Sequence, residues 1–222
     1  MEDLRVLQRS SDELVVCKPA GLACEARDPH AESVLAMVAH ALPGSTPKLP
    51  HRLDRVTRGI LLVCLSQGAI AFHGEQIKAR RWEKYYLARV ASDPRALVGP
   101  HRAFLGEDKG RAVIVRSGGK PAWLEILDTA PVPGSPERWH VLVHLQTGRF
   151  HQIRAMLAAL GVPLPGDPLY GARGTDDFYL EHALLRYTAF ASRQVVTVFD
   201  PHDADRGPVA ESLVARFVEL AA

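Results

Sequence analysis

The chain has 222 residues, of which 47% are hydrophobic and 23% charged, a balance ordinary for a soluble globular protein with room for one large domain or two small ones. No apolar run approaches the ~18 residues of a membrane span, the acidic start Met1-Glu2-Asp3-Leu4 lacks a signal-peptide core, and Cys17, Cys24 and Cys64 form no Cys-x-x-Cys pair, so reduced thiols in a cytoplasmic protein are expected. A net charge of +2 is too weak to establish a nucleic-acid partner by itself, and the distribution of charge carries more than the sum.

Residues 14–17 read as a short strand, ended by the turn residues of Lys18-Pro19-Ala20-Gly21. Asp28-Pro29 opens a predicted helix over about 30–42, with Val34, Leu35, Val38 and Leu42 on one face, and Pro43-Gly44 stops it. A loop over 43–50 leads into His51-Arg52-Leu53-Asp54-Arg55-Val56-Thr57. After Gly59 comes an apolar run, residues 60–65, that reads as a buried strand. Charge clustered at the mouth of a buried strand points to a site, because the strand fixes the backbone while the polar groups stay within reach of a ligand.

Ser66 is the expected N-cap of a helix over about 67–79, with Ile70, Phe72, His73 and Ile77 inward. The next segment interleaves Lys78, Arg80, Arg81, Lys84 and Arg89 with Trp82, Tyr85 and Tyr86. Cations for phosphates and flat rings for bases are what a nucleic-acid groove needs, so Lys78, Arg80 and Arg81 are candidates to line one. The competing reading is a solvated helix end followed by a strand, near 85–91, whose aromatics are core.

The middle of the chain is strand-rich. Residues 112–115 and 123–127 flank Ser117-Gly118-Gly119-Lys120-Pro121, which reads as a hairpin loop. Residues 139–145 alternate, placing Trp139, Val141, Val143 and Leu145 on one face. A helix over about 152–160, with Ile153, Met156, Leu157 and Leu160 inward, ends at Gly161. A Pro/Gly-rich stretch over 161–174, strands near 183–190 and 194–199, and a helix over about 208–221 with Val209, Leu213, Phe217 and Leu220 inward complete the chain. Strands outnumber helices without regular alternation, which predicts an α+β fold with a mixed, mostly antiparallel sheet and flanking helices. No linker stands out, so one domain over 1–222 is expected, with its core at about 14–200.

Three constellations can carry chemistry. At strand-like spacing Arg52 and Asp54 point the same way, and a carboxylate beside arginines is expected to be ionised, since a neighbouring guanidinium lowers a reference value of ~3.9 by about 1–3 units. Such a group suits a nucleophile, a weak base or an ion pair. Thr147-Gly148-Arg149-Phe150-His151-Gln152-Ile153-Arg154 lies at a strand-to-helix junction, where free N–H groups and the donors of Arg149, His151, Gln152 and Arg154 favour an anion. Gly166-Asp167-Pro168-Leu169-Tyr170-Gly171 reads as a defined loop in which Asp167 caps or pairs. A metal at His51, Asp54 and His151 is disfavoured by the adjacent arginines and by the absence of metal-ligand spacing, so no metal is expected. No nucleophile elbow, Walker or dinucleotide pattern is present.

Taken together these stretches resemble the RluA-type pseudouridine synthases. The likeness rests on the 51–57 motif with Gly59 and Leu61-Leu62, on Lys84-Tyr85-Tyr86-Leu87-Ala88, on 148–154, on Gly161-Val162-Pro163-Leu164 through Gly166-Asp167 and Tyr170-Gly171, and on Lys18-Pro19-Ala20-Gly21, all in the family's order over about 14–190. The resemblance implies a curved sheet with a central active-site cleft and a cofactor-free, metal-free isomerisation of uridine to pseudouridine in tRNA or rRNA. It puts the catalytic aspartate at Asp54, the residue that displaces the target base at Arg52, the tyrosine that stacks on the flipped uracil at Tyr86, and the basic partner of the aspartate at Arg154. Arg55, Thr57, Lys84, Arg149, His151 and Gln152 are then expected to hold RNA or base. The chain is expected to act as a monomer and to read RNA with its catalytic domain alone, since only about 13 residues precede the first predicted strand. It departs from the family pattern at Arg58, where a small Ser is usual, at Leu124, where Thr is common, at Met156, where His is usual, and at Leu180-Glu181-His182-Ala183, a loose match to Leu-His-Ala. A reading from another class is an RNA-binding or folding factor that keeps the fold with little turnover.

Overall fold

The computed structural model of the chain describes residues 4–26, 28, 30–171, 178–200, 203 and 206–222. In chain order the elements are β1 (Arg5–Arg9), β2 (Glu13–Lys18), α1 (Val34–Ala41), β3 (Arg58–Cys64), α2 (Gln67–Lys78), β4 (Glu83–Val90), β5 (Gly99–Asp108), β6 (Arg111–Ile114), β7 (Lys120–Val132), β8 (Ser135–Leu145), α3 (Gln152–Ala159), β9 (Leu180–Thr188), β10 (Val195–Phe199) and α4 (Glu211–Ala221). They form two compact units, Met1–Trp82 with Glu181–Val198, and Glu83–Leu180 with Phe199–Ala222. The fold is α+β, and its sheet is mixed: β3 and β9 run parallel, while the other pairings described below are antiparallel.

In the first unit β2 pairs with β3 along its whole length, from Glu13 opposite Cys64 to Lys18 opposite Gly59. All seven residues of β3 are buried, as the continuous apolar run required. Ile60, Leu62 and Cys64 share one face and pack with Val15, Ala69, Trp82, Leu185, Tyr187 and Val198 into one core. Ser66 caps α2 by accepting the Ala69 N–H, as its position before the helix predicted. α1 starts at Val34, four residues later than the periodicity placed it. An isolated bridge between Ala23 and Ser33 holds Ser33 in extended backbone, and from there its side chain caps the helix at the Ala36 N–H. Pro29, expected at the start of this helix, lies outside the described residues. β1 carries no apolar alternation because it is an edge strand with four of five residues exposed.

In the second unit β8 lies between β4 and β7. Val141, Val143 and Leu145 are buried as the alternation required, and Leu142 and His140 are buried as well, because this strand is covered on both faces. The expected hairpin over 117–121 is not one. β6 pairs with β5, β5 pairs with β7, and residues 115–119 carry the chain from one side of β5 to the other. β5 escaped the sequence pattern because most of its residues stay at least partly exposed. α4 begins at Glu211, buries Leu213 and Phe217 and lies against β7. The Phe217 ring stacks on Phe199 with centroids 5.2 Å apart.

The two departures at Arg58 and Glu181 answer one another. They stand opposite in the β3–β9 register, both buried, with Arg58 Nη1 3.8 Å from Glu181 Oε1. At the next step of that register Gly59 takes φ +110°, and a Cβ there would lie 2.4 Å from the His182 carbonyl oxygen. Gly59→Ala should therefore lower stability by about 2–4 kcal/mol in urea unfolding; an unchanged midpoint would contradict the close approach of β3 to β9.

Candidate functional site

In the first unit the 51–57 stretch runs from the end of a loop into β3, and its backbone is tied down from three sides. The Thr57 N–H donates to the Asp54 carbonyl at 3.0 Å and closes a turn across Arg55-Val56. The Gly21 N–H donates to the Arg55 carbonyl at 2.8 Å, and Arg55 Nε returns a bond to the Gly21 carbonyl at 2.7 Å. Gly21 adopts φ +86°, the left-handed turn that brings both of its peptide groups to Arg55. Lys18, whose side chain is fully buried, donates from Nζ to the carbonyls of Pro19 (2.9 Å), Leu22 (2.7 Å) and Arg55 (3.2 Å).

Burial pushes the Lys18 ammonium down to about 8, with the charge of Asp54 among the groups that oppose the shift. It therefore remains largely protonated at pH 7 and keeps its full set of donors. The Lys18-Pro19-Ala20-Gly21 motif is thus a mould for the Asp54 loop. Asp54 itself is half-buried, while Arg52 and Arg55 are exposed. Thr57 is buried at the turn that carries Asp54. His51 packs edge-on against Trp82 and His182, and its Nε2 accepts the Leu62 N–H at 3.1 Å, which fixes the ring behind β3. Lys78, Arg80 and Arg81 are exposed at the end of α2, and Lys78 pairs with Glu75 at 2.6 Å. Trp82 belongs to the core of this unit, as the competing reading of its segment held.

Tyr86 and Arg154 belong to the second unit. On β4, Tyr85 and Tyr86 point to opposite faces. Tyr85 stacks on His144 with centroids 4.7 Å apart and donates to Glu83 at 2.9 Å. Tyr86 is buried opposite Val143. Lys84 lies over Gly148, where a Cβ would come within 3.3 Å of its Nζ, and burial pushes its ammonium down to about 8.

The 147–154 junction is held by Gln152. Its amide nitrogen donates to the Trp123 carbonyl at 3.0 Å, and its oxygen accepts from the Thr147 hydroxyl at 2.8 Å and the Arg149 N–H at 3.0 Å. Arg149 Nε donates to the Pro121 carbonyl at 3.0 Å. Both Gln152 and Arg149 thus fasten the junction to β7. His151 takes φ +49°, a strained position for a residue with a side chain, and its ring stacks on Phe150.

The sequence did not reveal what holds Arg154. Its guanidinium makes a bidentate pair with Asp167, Nε to Oδ2 at 2.7 Å and Nη2 to Oδ1 at 2.8 Å, and both side chains are almost fully buried. Asp167 also accepts the N–H groups of Leu169 (2.9 Å) and Tyr170 (3.2 Å), so it both caps and pairs. Burial alone would raise the Asp167 carboxyl; the bonds from Arg154 and the two amides outweigh it and hold the group below its ordinary range. The same loop fastens β6. The Tyr170 hydroxyl lies 2.7 Å from the Ala112 nitrogen, 3.1 Å from the Ala112 oxygen and 3.1 Å from His151 Nδ1. The hydroxyl donates to the Ala112 carbonyl and accepts from the Ala112 N–H, with the His151 ring beside it.

A carboxyl whose folded value is depressed stabilises the fold above its unfolded value and loses that contribution as pH falls through the folded one. Asp167→Asn should therefore cost about 3–5 kcal/mol at pH 7, the penalty of breaking a buried pair. The difference from the unsubstituted protein should shrink below about pH 4. Urea unfolding at pH 7 and pH 3 measures both, and a difference that is the same at both pH values would contradict an ionised Asp167.

Residues 12–159 match the family model described as RNA pseudouridylate synthase. An uncharacterized RNA pseudouridine synthase of Chloroflexus aurantiacus is 36% identical over 168 residues, 70% of this chain and 51% of that protein. The ribosomal large subunit pseudouridine synthase D of Pseudomonas aeruginosa is 29% identical over 231 residues, 98% of this chain and 64% of that protein. The chain thus spans about half to two-thirds of the length of these two relatives. Among solved structures, human RNA pseudouridylate synthase domain containing 1 superposes with a TM-score of 0.76 at 25% identity, covering 98% of this chain and 95% of that one. With the family model spanning both the moulded Asp54 loop and the Gln152 junction, the chain belongs to the RNA pseudouridylate synthase family.

Proposed function

We propose that the chain is an RNA pseudouridine synthase that isomerises a specific uridine in tRNA or rRNA, with Asp54 as the catalytic carboxylate. The observation that carries the reading is the way Lys18, Gly21 and Thr57 hold the backbone around Asp54. A reacting group must be kept within a fraction of an ångström of its productive position, and a moulded loop at the mouth of a buried strand does that.

In the reaction the C1′–N1 bond of the uridine breaks, the uracil turns, and a C1′–C5 bond forms. N1 ends with a proton and C5 gives one up, so no cofactor or co-reactant is required. Asp54 attacks the sugar or the base. Tyr86 stacks on the extruded uracil, Arg52 fills the place it leaves, and Arg154 is the basic partner of the catalytic carboxylate. Extrusion costs a few kcal/mol, and stacking on one ring returns about 1–3 kcal/mol. Phosphate contacts must therefore share the cost, and Lys78, Arg80, Arg81, Lys84 and Arg55 are the cations assigned to them. The name of the Pseudomonas relative favours ribosomal RNA as the substrate class. Among the described residues no helix is long and apolar enough to cross a membrane, and a monomer working in the cytoplasm fits a substrate of that kind.

Purified protein incubated with unmodified tRNA and rRNA transcripts should convert uridine at one or a few positions, and Asp54→Asn should abolish conversion while RNA binding remains. Conversion by Asp54→Asn at the normal rate would remove Asp54 from the chemistry. Binding without conversion by the unsubstituted protein would favour a factor that only holds RNA. Tyr86→Phe separates stacking from proton transfer: full activity would exclude a role for its hydroxyl. Substituting Lys78, Arg80 and Arg81 by Ala should weaken RNA binding and flatten its dependence on salt; the same affinity at every salt concentration would place the phosphate contacts elsewhere.

A further inference from the structure

Two adjacent side chains outside the 51–57 stretch hold the two residues that precede Asp54. The first is Cys24. It is buried, and its backbone is fixed because the Leu35 N–H donates to its carbonyl at 3.1 Å and its neighbour Ala23 bridges Ser33. Its Sγ lies 3.2 Å from the Leu53 carbonyl oxygen and 3.3 Å from the Leu53 nitrogen. One thiol therefore donates to the carbonyl and accepts from the N–H of a single residue, taking up both backbone groups of Leu53. Burial raises the thiol above its ordinary value, which keeps the proton that the bond to the carbonyl needs.

The second is Glu25. Its carboxylate lies 2.5 Å from Arg52 Nη1, and both side chains are about half exposed or more. An exposed pair of this kind is weak and easily exchanged for another anion. The two contacts differ in kind: the buried thiol fixes backbone, while the exposed carboxylate orients a long side chain without committing it.

We propose that Cys24 and Glu25 are positioning residues for the Asp54 loop, Cys24 fixing the Leu53 backbone and Glu25 holding the Arg52 guanidinium until bound RNA draws it from the carboxylate into the place the uracil leaves. The catalytic half of this inference rests on the pseudouridine-synthase reading; the structural half does not. Neither side chain touches the reacting atoms. Cys24 acts on rate through the loop, and Glu25 acts on RNA affinity through Arg52.

The test uses the full chain and an unmodified transcript that the unsubstituted protein converts. Cys24→Val keeps an apolar side chain that fills the site and removes both bonds, whereas Cys24→Ser keeps a donor and an acceptor. At saturating protein, Cys24→Val should slow single-turnover conversion by tenfold or more with the Kd for the transcript within twofold, because the loop is displaced rather than the binding surface. Cys24→Ser should recover the rate to within about threefold. Cys24→Val at the unsubstituted rate, or Cys24→Ser no faster than Cys24→Val, would overturn the positioning role. Glu25→Gln should tighten RNA binding about two- to fivefold, and unchanged or weaker binding would overturn the Arg52 half. Amide hydrogen exchange at Leu53 reads the clamp without catalysis: it should quicken in Cys24→Val and not in Cys24→Ser, and equal exchange in both would overturn it. If the unsubstituted protein converts no transcript while Leu53 exchange still responds, the functional reading falls and the clamp stands.

Discussion

One buried ammonium organises the first unit. Lys18 spends its donors on three backbone carbonyls, two of them in the turn that follows it and the third at Arg55, 37 residues away. Taking an ammonium out of water costs several kcal/mol, and charge-assisted bonds to carbonyls offset that cost only when their geometry is held. The arrangement therefore works in both directions. The turn must be folded for Lys18 to be tolerated, and Lys18 must be present for Arg55 and its turn to stay where β3 presents them. The loop bearing Asp54 inherits its position from this exchange, with Gly21 and Cys24 adding bonds on either side.

The second unit solves a like problem with a carboxylate. Asp167 neutralises the buried Arg154 and at the same time gathers the amides of its own loop, so the arginine side chain and the 167–171 loop fix one another. Tyr170 extends the constraint to β6, whose edge would otherwise leave Ala112 to solvent. Polar groups that are fully engaged in this way rigidify their surroundings, whereas each would be a liability if left half-satisfied. The chain thus uses charge inside the protein to define loops rather than to add bulk stability.

The element types of the core were legible because burial leaves a periodic trace. β3, α2, β8 and α3 all follow from apolar spacing and caps. β1 and β5 were not legible, since an exposed edge strand and a strand whose residues stay mostly exposed carry no such trace, and the path from β6 to β7 was misread because Gly and Ser mark a turn without saying which strands it joins. The chemistry-bearing motifs were legible in order and composition. Their internal partners were not: Lys18, Cys24 and Gln152 bond to backbone groups, which every residue carries, so nothing in the sequence distinguishes the right one. Arg58 and Glu181 are the reverse case. Each departs from the family pattern alone, and only the register of β3 against β9 shows that they belong together.

The role proposed for Asp54, the catalytic carboxylate of this moulded loop, is the central claim. Its most direct test is pseudouridine mapping across the total RNA of cells that carry either the unsubstituted chain or Asp54→Asn as the sole copy. One or a few pseudouridines should vanish from tRNA or rRNA in the Asp54→Asn cells while the protein remains folded and present. Identical maps in the two strains, with the protein expressed in both, would contradict it.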